Sequence, residues 1–384
     1  AQGERTGLDR WDDLSEAGAS AAAAAARAEI EGLGRAVRYE ALNPREQLQY
    51  RVFVGQQELL LERHRWRDHL YPLNPIVGPH VDVVSVLTSQ PVASVADAEA
   101  YVRRIEAVRP YFAGLAERLE RQATNGVYLP KSIYPILLGQ ARNVVAGRPH
   151  GAAGESPILA DFERKVAALG LPPAQRAALV ERATAALTRD LEPAYRELIA
   201  LLEGHGARTP VDGGVWQLPD GEQFYAFLLR QFTTTDVTPD RVHALGLAEV
   251  ARIHAEMTAI ARSVGHEGDL RSFMQRLKQD PRFFVTDDEA GRAAYMARAK
   301  EIVAAMQAAL PTAFLRPPPL PLEIQPTEPY RAAGAPTGFY SAGTPDGSRP
   351  GVVRLNLRDM RTTPLYDLEW LLYHEAVPGH HLQI

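Results

Sequence analysis

Tyr373-His374-Glu375-Ala376-Val377-Pro378-Gly379-His380-His381-Leu382-Gln383-Ile384 stands at the C-terminal end of the sequence and sets how the rest is read. Neutral imidazoles and carboxylates are what a zinc ion takes as ligands, and a carboxylate beside the metal is the base a hydrolase needs. The common zinc-peptidase spacing puts two histidines four apart on one helical face, with a glutamate after the first. Here position 378 is proline, and the next histidines are His380 and His381. Each residue of an ideal helix turns by about 100°. His381 then falls on nearly the same side as His374 but two turns away, and His380 points elsewhere. Pro378 removes a backbone donor and moves Val377 off helical angles, and Gly379 lets the chain turn sharply. The expectation is a helix starting at Leu365 or Tyr366 that breaks at Val377–Gly379. A bulge there returns His380 over His374 with Glu375 toward a metal-bound water. The rival pair, His374 with His381, needs less rotation but more axial compression. The bland alternative is histidines that suit the dipole of a helix end. It accounts for a lone His-Glu pair better than for ligands and base supplied together.

Upstream, Phe339–Ala342 and Gly351–Leu357 flank the turn residues Thr344-Pro345-Asp346-Gly347 and read as two strands. Val353, Leu355 and Leu357 alternate with Val352, Arg354 and Asn356. A strand just ahead of a metal-binding helix suggests an edge to which an extended substrate adds hydrogen bonds, with Arg354 or Asn356 in contact. The bland alternative is an ordinary small sheet packed on a helical body. Pro317–Pro329 holds six prolines and reads as extended or irregular. Most of the remainder follows the three-four apolar period of helices, with starts marked at Asn43-Pro44, Ser94, Ser156-Pro157, Pro172-Pro173 and Thr238-Pro239. Val81–Thr88 is apolar enough to be a strand or a short helix. Gly204–Gly214 interrupts the helical pattern most clearly. The predicted fold is mainly α: a large helical body with a small antiparallel sheet beside a metal-binding helix. Two regions are expected, 1–210 helical, and 211–384 with further helices, the sheet and the first half of a catalytic unit.

The C-terminal segment resembles the signature of the DUF885 family, a bacterial group placed among gluzincin-like zinc peptidases. The pattern His-Glu-x-x-Pro-Gly-His-His-x-Gln is met by His374, Glu375, Pro378, Gly379, His380, His381 and Gln383. A second stretch is similar too: Leu229–Thr235, Thr238-Pro239, then His243, Leu245-Gly246-Leu247 and Glu249-Val250. So is the patch Pro336, Gly338-Phe339-Tyr340 with Leu355-Asn356. The resemblance implies a zincin-like fold in which His374 and His380 bind Zn2+ and Glu375 activates water. It leaves His381 as a contact behind the ligands or a substitute ligand. It also implies a glutamate ligand on a later helix, beyond residue 384, on the C-terminal half of the same protein or a companion chain. On that reading the fold is incomplete at residue 384.

Composition sets the remaining limits. A net charge of −5 with no basic block argues against nucleic-acid binding. The absence of cysteine removes disulfides and thiolate metal sites. No apolar run of about 18 residues exists to span a membrane. Ala1-Gln2-Gly3 lacks a signal peptide's basic and apolar regions; a mature exported start and a trimmed chain both account for it. The resemblance favours a secreted or periplasmic protein over a cytoplasmic one. The expected function is zinc-dependent hydrolysis of a peptide substrate. The competing readings are a zinc hydrolase acting on a non-peptide amide or ester, and a non-catalytic helical binding or scaffold protein.

Overall fold

Capping chemistry places the helices where the sequence marks them. In a computed structural model, which describes residues 6–152, 154–210, 213–315 and 320–384, α1 (Glu16–Ala36) starts at Ser15, whose side chain accepts from the Gly18 N–H. The helix buries only Ala23 and Ala26, the small-residue face its alanines allow. α2 (Pro44–Arg65) opens with a reciprocal cap: Asn43 accepts from the Glu46 N–H while the Glu46 carboxylate accepts from the Asn43 N–H. The apolar run that admitted two readings is helical, α3 (Pro79–Ser89), with Val83, Val84 and Leu87 fully buried. α4 (Val95–Glu106) is capped by Ser94, and α5 (Val108–Thr124) follows after one residue. Proline in the first turn, where a missing donor costs nothing, starts α6 (Tyr134–Val144), α7 (Pro157–Ala167) and α8 (Pro173–Ala186). A single π-helical turn, Leu187–Leu191, carries α8 into α9 (Glu192–Arg208). α10 (Gly221–Thr233) completes this series.

The chain divides into two compact units, Thr6–Pro239 and one that holds Asp240–Ile384. Ala1-Gln2-Gly3, part of the Gly204–Gly214 interruption (211–212) and Pro317–Pro319 lie outside the described residues. The core of the first unit is dominated by Tyr101, Phe162 and Tyr195, all fully buried. The second unit begins with α11 (Pro239–Ser263) and α12 (Leu270–Gln279), the latter capped by Asp269. α13 (Glu289–Ala309) is capped by Asp288, which accepts from the Gly291 N–H. Then come β1 (Leu322–Pro326), the short α14 (Pro329–Ala332), β2 (Gly338–Ser341), β3 (Gly351–Leu355), α15 (Leu365–Glu375) and α16 (His380–Gln383).

The fold is mainly α with a small open sheet, as the periodicity implies, but the sheet is not antiparallel throughout. Its order is β1-β3-β2, with β2 antiparallel to β3 and β1 parallel to it. The added strand comes from the proline-rich stretch. Gly351 N–H donates to the Pro321 carbonyl and Thr327 N–H to the Leu355 carbonyl, so the odd-numbered residues of β1 face β3. Pro326 therefore sits on the outward side of an edge strand, where no donor is needed. The faces of β3 alternate as read from sequence, with Val353 and Leu355 buried. They join Tyr295, Ala299 and Ile302 of α13 and Leu368, Leu371 and Leu372 of α15 in one apolar cluster. Gly338 lets β2 lie close to α15, since a Cβ there would stand 3.1 Å from a Leu371 methyl. The sheet and α13 thus fix the buried side of α15, and its other side carries the site.

Candidate metal centre

α15 ends where proline and glycine require it. Ala376 N–H closes the last turn on the Leu372 carbonyl at 2.8 Å, and Ala376 itself leaves helical angles with φ −102° and ψ −102°. The Val377-Pro378 peptide is cis. Gly379 then folds back on the helix end. Its N–H donates to the Tyr373 carbonyl at 2.9 Å, and a Cβ on it would lie 1.8 Å from the His374 carbonyl oxygen. Only glycine fits at so close a backbone approach. α16 starts immediately, and the His381 N–H reaches back to the Ala376 carbonyl at 3.0 Å.

This turn brings His380 over His374. Their ring centroids are 4.8 Å apart with planes at 82°. Glu375 is 9% exposed, and its Oε2 lies 3.7 Å from His380 Nε2, a contact too long for a hydrogen bond. Potential ligand atoms of His374, Glu375 and His380 all lie within 4.8 Å of one another. Ligands about 2.0–2.1 Å from a tetrahedral zinc stand about 3.4 Å apart, a spacing that a cluster within 4.8 Å approaches. The donor set, two imidazoles and a carboxylate, suits zinc. His374 is exposed, and Trp370, one turn earlier on α15, is 57% exposed.

His381 is engaged elsewhere. It is 5% exposed, and its Nε2 lies 3.0 Å from the Leu320 carbonyl, which can only accept. The proton therefore sits on Nε2, and Nδ1 accepts from the Tyr340 hydroxyl at 3.0 Å. Burial pushes the Tyr340 phenol above its usual value, which keeps it protonated as the donor. Both ring nitrogens of His381 are thus occupied by protein, whereas His374 and His380 have none of their ring nitrogens held in this way among the described residues.

Arg354 and Asn356 are not at a free edge. β3 is the central strand, with a neighbour on each side. Arg354 donates to Gln325 Oε1 at 2.8 Å and pairs with Glu328 at 3.2 Å. Asn356 Nδ2 donates to the carbonyls of Ala332 and Ala335 at 2.7 and 3.0 Å. The alternation of apolar residues in β3 reveals which face a side chain takes but not which strands flank it. His243 and His254, on α11, are exposed and lie outside the cluster. Leu320, Tyr340 and Gly351 are the residues around the site that spacing alone does not reveal. Tyr340 belongs to the Gly338-Phe339-Tyr340 patch, the one sequence signal that points to it.

Comparisons agree with this picture at the level of family and fold. The profile of the family described as "Bacterial protein of unknown function (DUF885)" matches residues 1–384. A crystal structure of a candidate lipoprotein from Colwellia psychrerythraea is 24% identical with a TM-score of 0.85, covering 96% of this chain and 64% of that one. A structure of a candidate lipoprotein of unknown function from Shewanella oneidensis is 16% identical with a TM-score of 0.60, covering 99% of this chain and 66% of that one. The chain thus spans about two thirds of the length of these structures. A comparison with curated proteins finds no match. Among the described residues no helix is long and apolar enough to cross a membrane.

Proposed function

We propose that this chain, which belongs to the DUF885 family, binds zinc through His374 and His380 and contributes the catalytic base of a peptide hydrolase. The observation that carries the reading is the convergence of His374, Glu375 and His380 within 4.8 Å across a broken helix. A zinc ion held there would supply Lewis acidity, polarising a carbonyl and acidifying water. Glu375, nearly buried beside His380, is placed to take the proton of the attacking water and return it to the leaving nitrogen. His374 and His380 bind as neutral imidazoles, and His381 stays behind them in its hydrogen bonds. This is the gluzincin-like reading of the signature. A third protein ligand and the donors that meet the developing oxyanion are assigned to a later segment of a longer polypeptide or to a companion chain. The exposed His374–Trp370 side of α15 and the greater length of the similar structures support that assignment. An exported location, secreted or periplasmic, draws on the two lipoprotein descriptions.

The test is cleavage of a peptide library by the full-length protein with zinc, with a chelator, and as Glu375→Gln. Chelator-sensitive cleavage that vanishes in Glu375→Gln while zinc is retained supports the reading. Loss of zinc in that variant makes Glu375 a ligand rather than the base. Zinc binding with cleavage of amide or ester probes but no peptide points to the non-peptide hydrolase. A protein that binds no zinc returns the fold to the scaffold class.

A further inference from the structure

The metal reading leaves the buried His381 ring without a task, and its geometry points to one. We infer that Tyr340 is a positioning residue that sets the register of His380 through His381. The inference rests on the metal reading only for its purpose; the geometry stands by itself.

α16 is four residues long and cannot hold its own orientation, because so short a helix has little internal hydrogen bonding. Its position is set from outside at two points. Gly379 seats its start against the His374 carbonyl. The His381 ring, bonded through Nε2 to Leu320 and through Nδ1 to Tyr340, ties it to the segment entering β1 and to β2. Tyr340 itself sits on β2. Its ring also lies beside that of His380, with centroids 6.2 Å apart and planes within 18°. One tyrosine thus touches both histidines: its hydroxyl fixes His381 and its face limits His380. Gly351 of β3 gives the pair its room, since a Cβ there would lie 2.4 Å from the Tyr340 oxygen and 2.8 Å from His381 Nδ1. The result is a bracket of three backbone segments around His381, with His380 projecting toward His374. Groups that orient a metal ligand from behind typically change affinity by about 10–100-fold when removed.

The experiment compares wild type, Tyr340→Phe and Gly351→Ala in the full-length protein. Tyr340→Phe removes the hydroxyl and keeps the ring; Gly351→Ala leaves both partners intact and forces them apart. Two readouts are taken. The first is the affinity and visible ligand-field spectrum with Co2+ as the probe. The second is the 15N imidazole NMR spectrum of the metal-free protein, which reports the tautomer of His381 and the surroundings of His380. Both variants should bind Co2+ at least tenfold more weakly with an altered band shape, and both should shift the metal-free His380 and His381 signals together. Thermal melting identifies a variant that has lost its fold, and the other variant then carries the test. Unchanged His380 signals in a folded variant refute the positioning role, whatever the metal does. Linked shifts in the variants, with no Co2+ bound by wild type, uphold the bracket and remove the metal reading. Normal Co2+ affinity and spectrum in folded Tyr340→Phe overturns the inference while leaving the metal reading intact.

Discussion

Gly379→Ala is the sharpest perturbation of the turn that assembles the site. The new methyl would lie 1.8 Å from the His374 carbonyl oxygen and 2.5 Å from both the His374 carbonyl carbon and the Tyr373 oxygen. All three are backbone atoms, which cannot swing aside as a side chain would. Ordinary contact begins near 3.5 Å, so the segment must retreat by about 1.5 Å. Overpacking of this kind costs about 1–3 kcal/mol. The Gly379 N–H to Tyr373 and His381 N–H to Ala376 bonds, 2.9 and 3.0 Å long, stretch in the same movement, and losing one adds about 1 kcal/mol. The expected destabilisation is therefore about 2–4 kcal/mol. His380 follows Gly379 directly, and metal sites hold their distances to about 0.2 Å, so the same shift should weaken zinc binding at least tenfold. Chemical denaturation gives the first quantity, and competition with a chromophoric chelator gives the second. Gly139→Ala is the control: nothing lies within 4 Å of its Cβ position on α6, and alanine there should stabilise by about 0.5–1 kcal/mol. If Gly379→Ala melts and binds zinc like wild type, the close approach does not hold the turn.

Other expectations follow from groups away from this turn. His80 is fully buried, its Nε2 bonded to Gln140 at 2.9 Å and its Nδ1 without a partner among the described residues. Burial lowers its pKa below the usual 6.5, against a smaller opposing effect of Gln140. The unfolded chain then takes up the proton first, so stability is full above about pH 6.5 and falls as pH drops toward the lower folded value. The loss is at most about 1.4 kcal/mol per pH unit, and melts between pH 7.5 and 5.5 should show a shallower loss in His80→Gln. Asn43→Ala removes the side-chain acceptor of the cap on α2 and leaves the backbone N–H bond to Glu46, and should cost about 1 kcal/mol by thermal melting. Asn356→Ala abandons the Ala332 and Ala335 carbonyls and should destabilise by about 1–3 kcal/mol without lowering zinc content; a lost metal with an unchanged melt would contradict its structural assignment.

Much of the helical body is legible because its signals are local. Ser94, Asn43-Pro44, Ser156-Pro157 and Pro172-Pro173 each act within a turn of themselves, and the helices start there. α3 is ambiguous in sequence because Val81 and Val86, only half-buried, are apolar as well and mask the three-four spacing of the buried His80, Val83, Val84 and Leu87. β1 is hidden by its prolines: what makes them acceptable is the neighbour on one side and none on the other, a fact of pairing rather than of composition. The break after Glu375 is legible from Pro378-Gly379, but its direction is not. That depends on Gly379 meeting the His374 carbonyl and on His381 finding Leu320 and Tyr340, residues 61 and 41 positions away. For the same reason the choice between His380 and His381 stays open in sequence, whereas the geometry separates a histidine with both nitrogens bonded from one beside His374. Arg354 and Asn356 show the reverse case, polar residues whose partners lie inside the unit.

The central claim is that His374 and His380 are the metal-binding pair. Elemental analysis of zinc in the purified full-length protein, wild type against His374→Ala and His380→Ala, tests it most directly. The account predicts stoichiometric zinc in wild type and severe loss in both variants, each of which removes one ligand nitrogen. Full zinc occupancy in folded His380→Ala, with loss in His381→Ala instead, would contradict it.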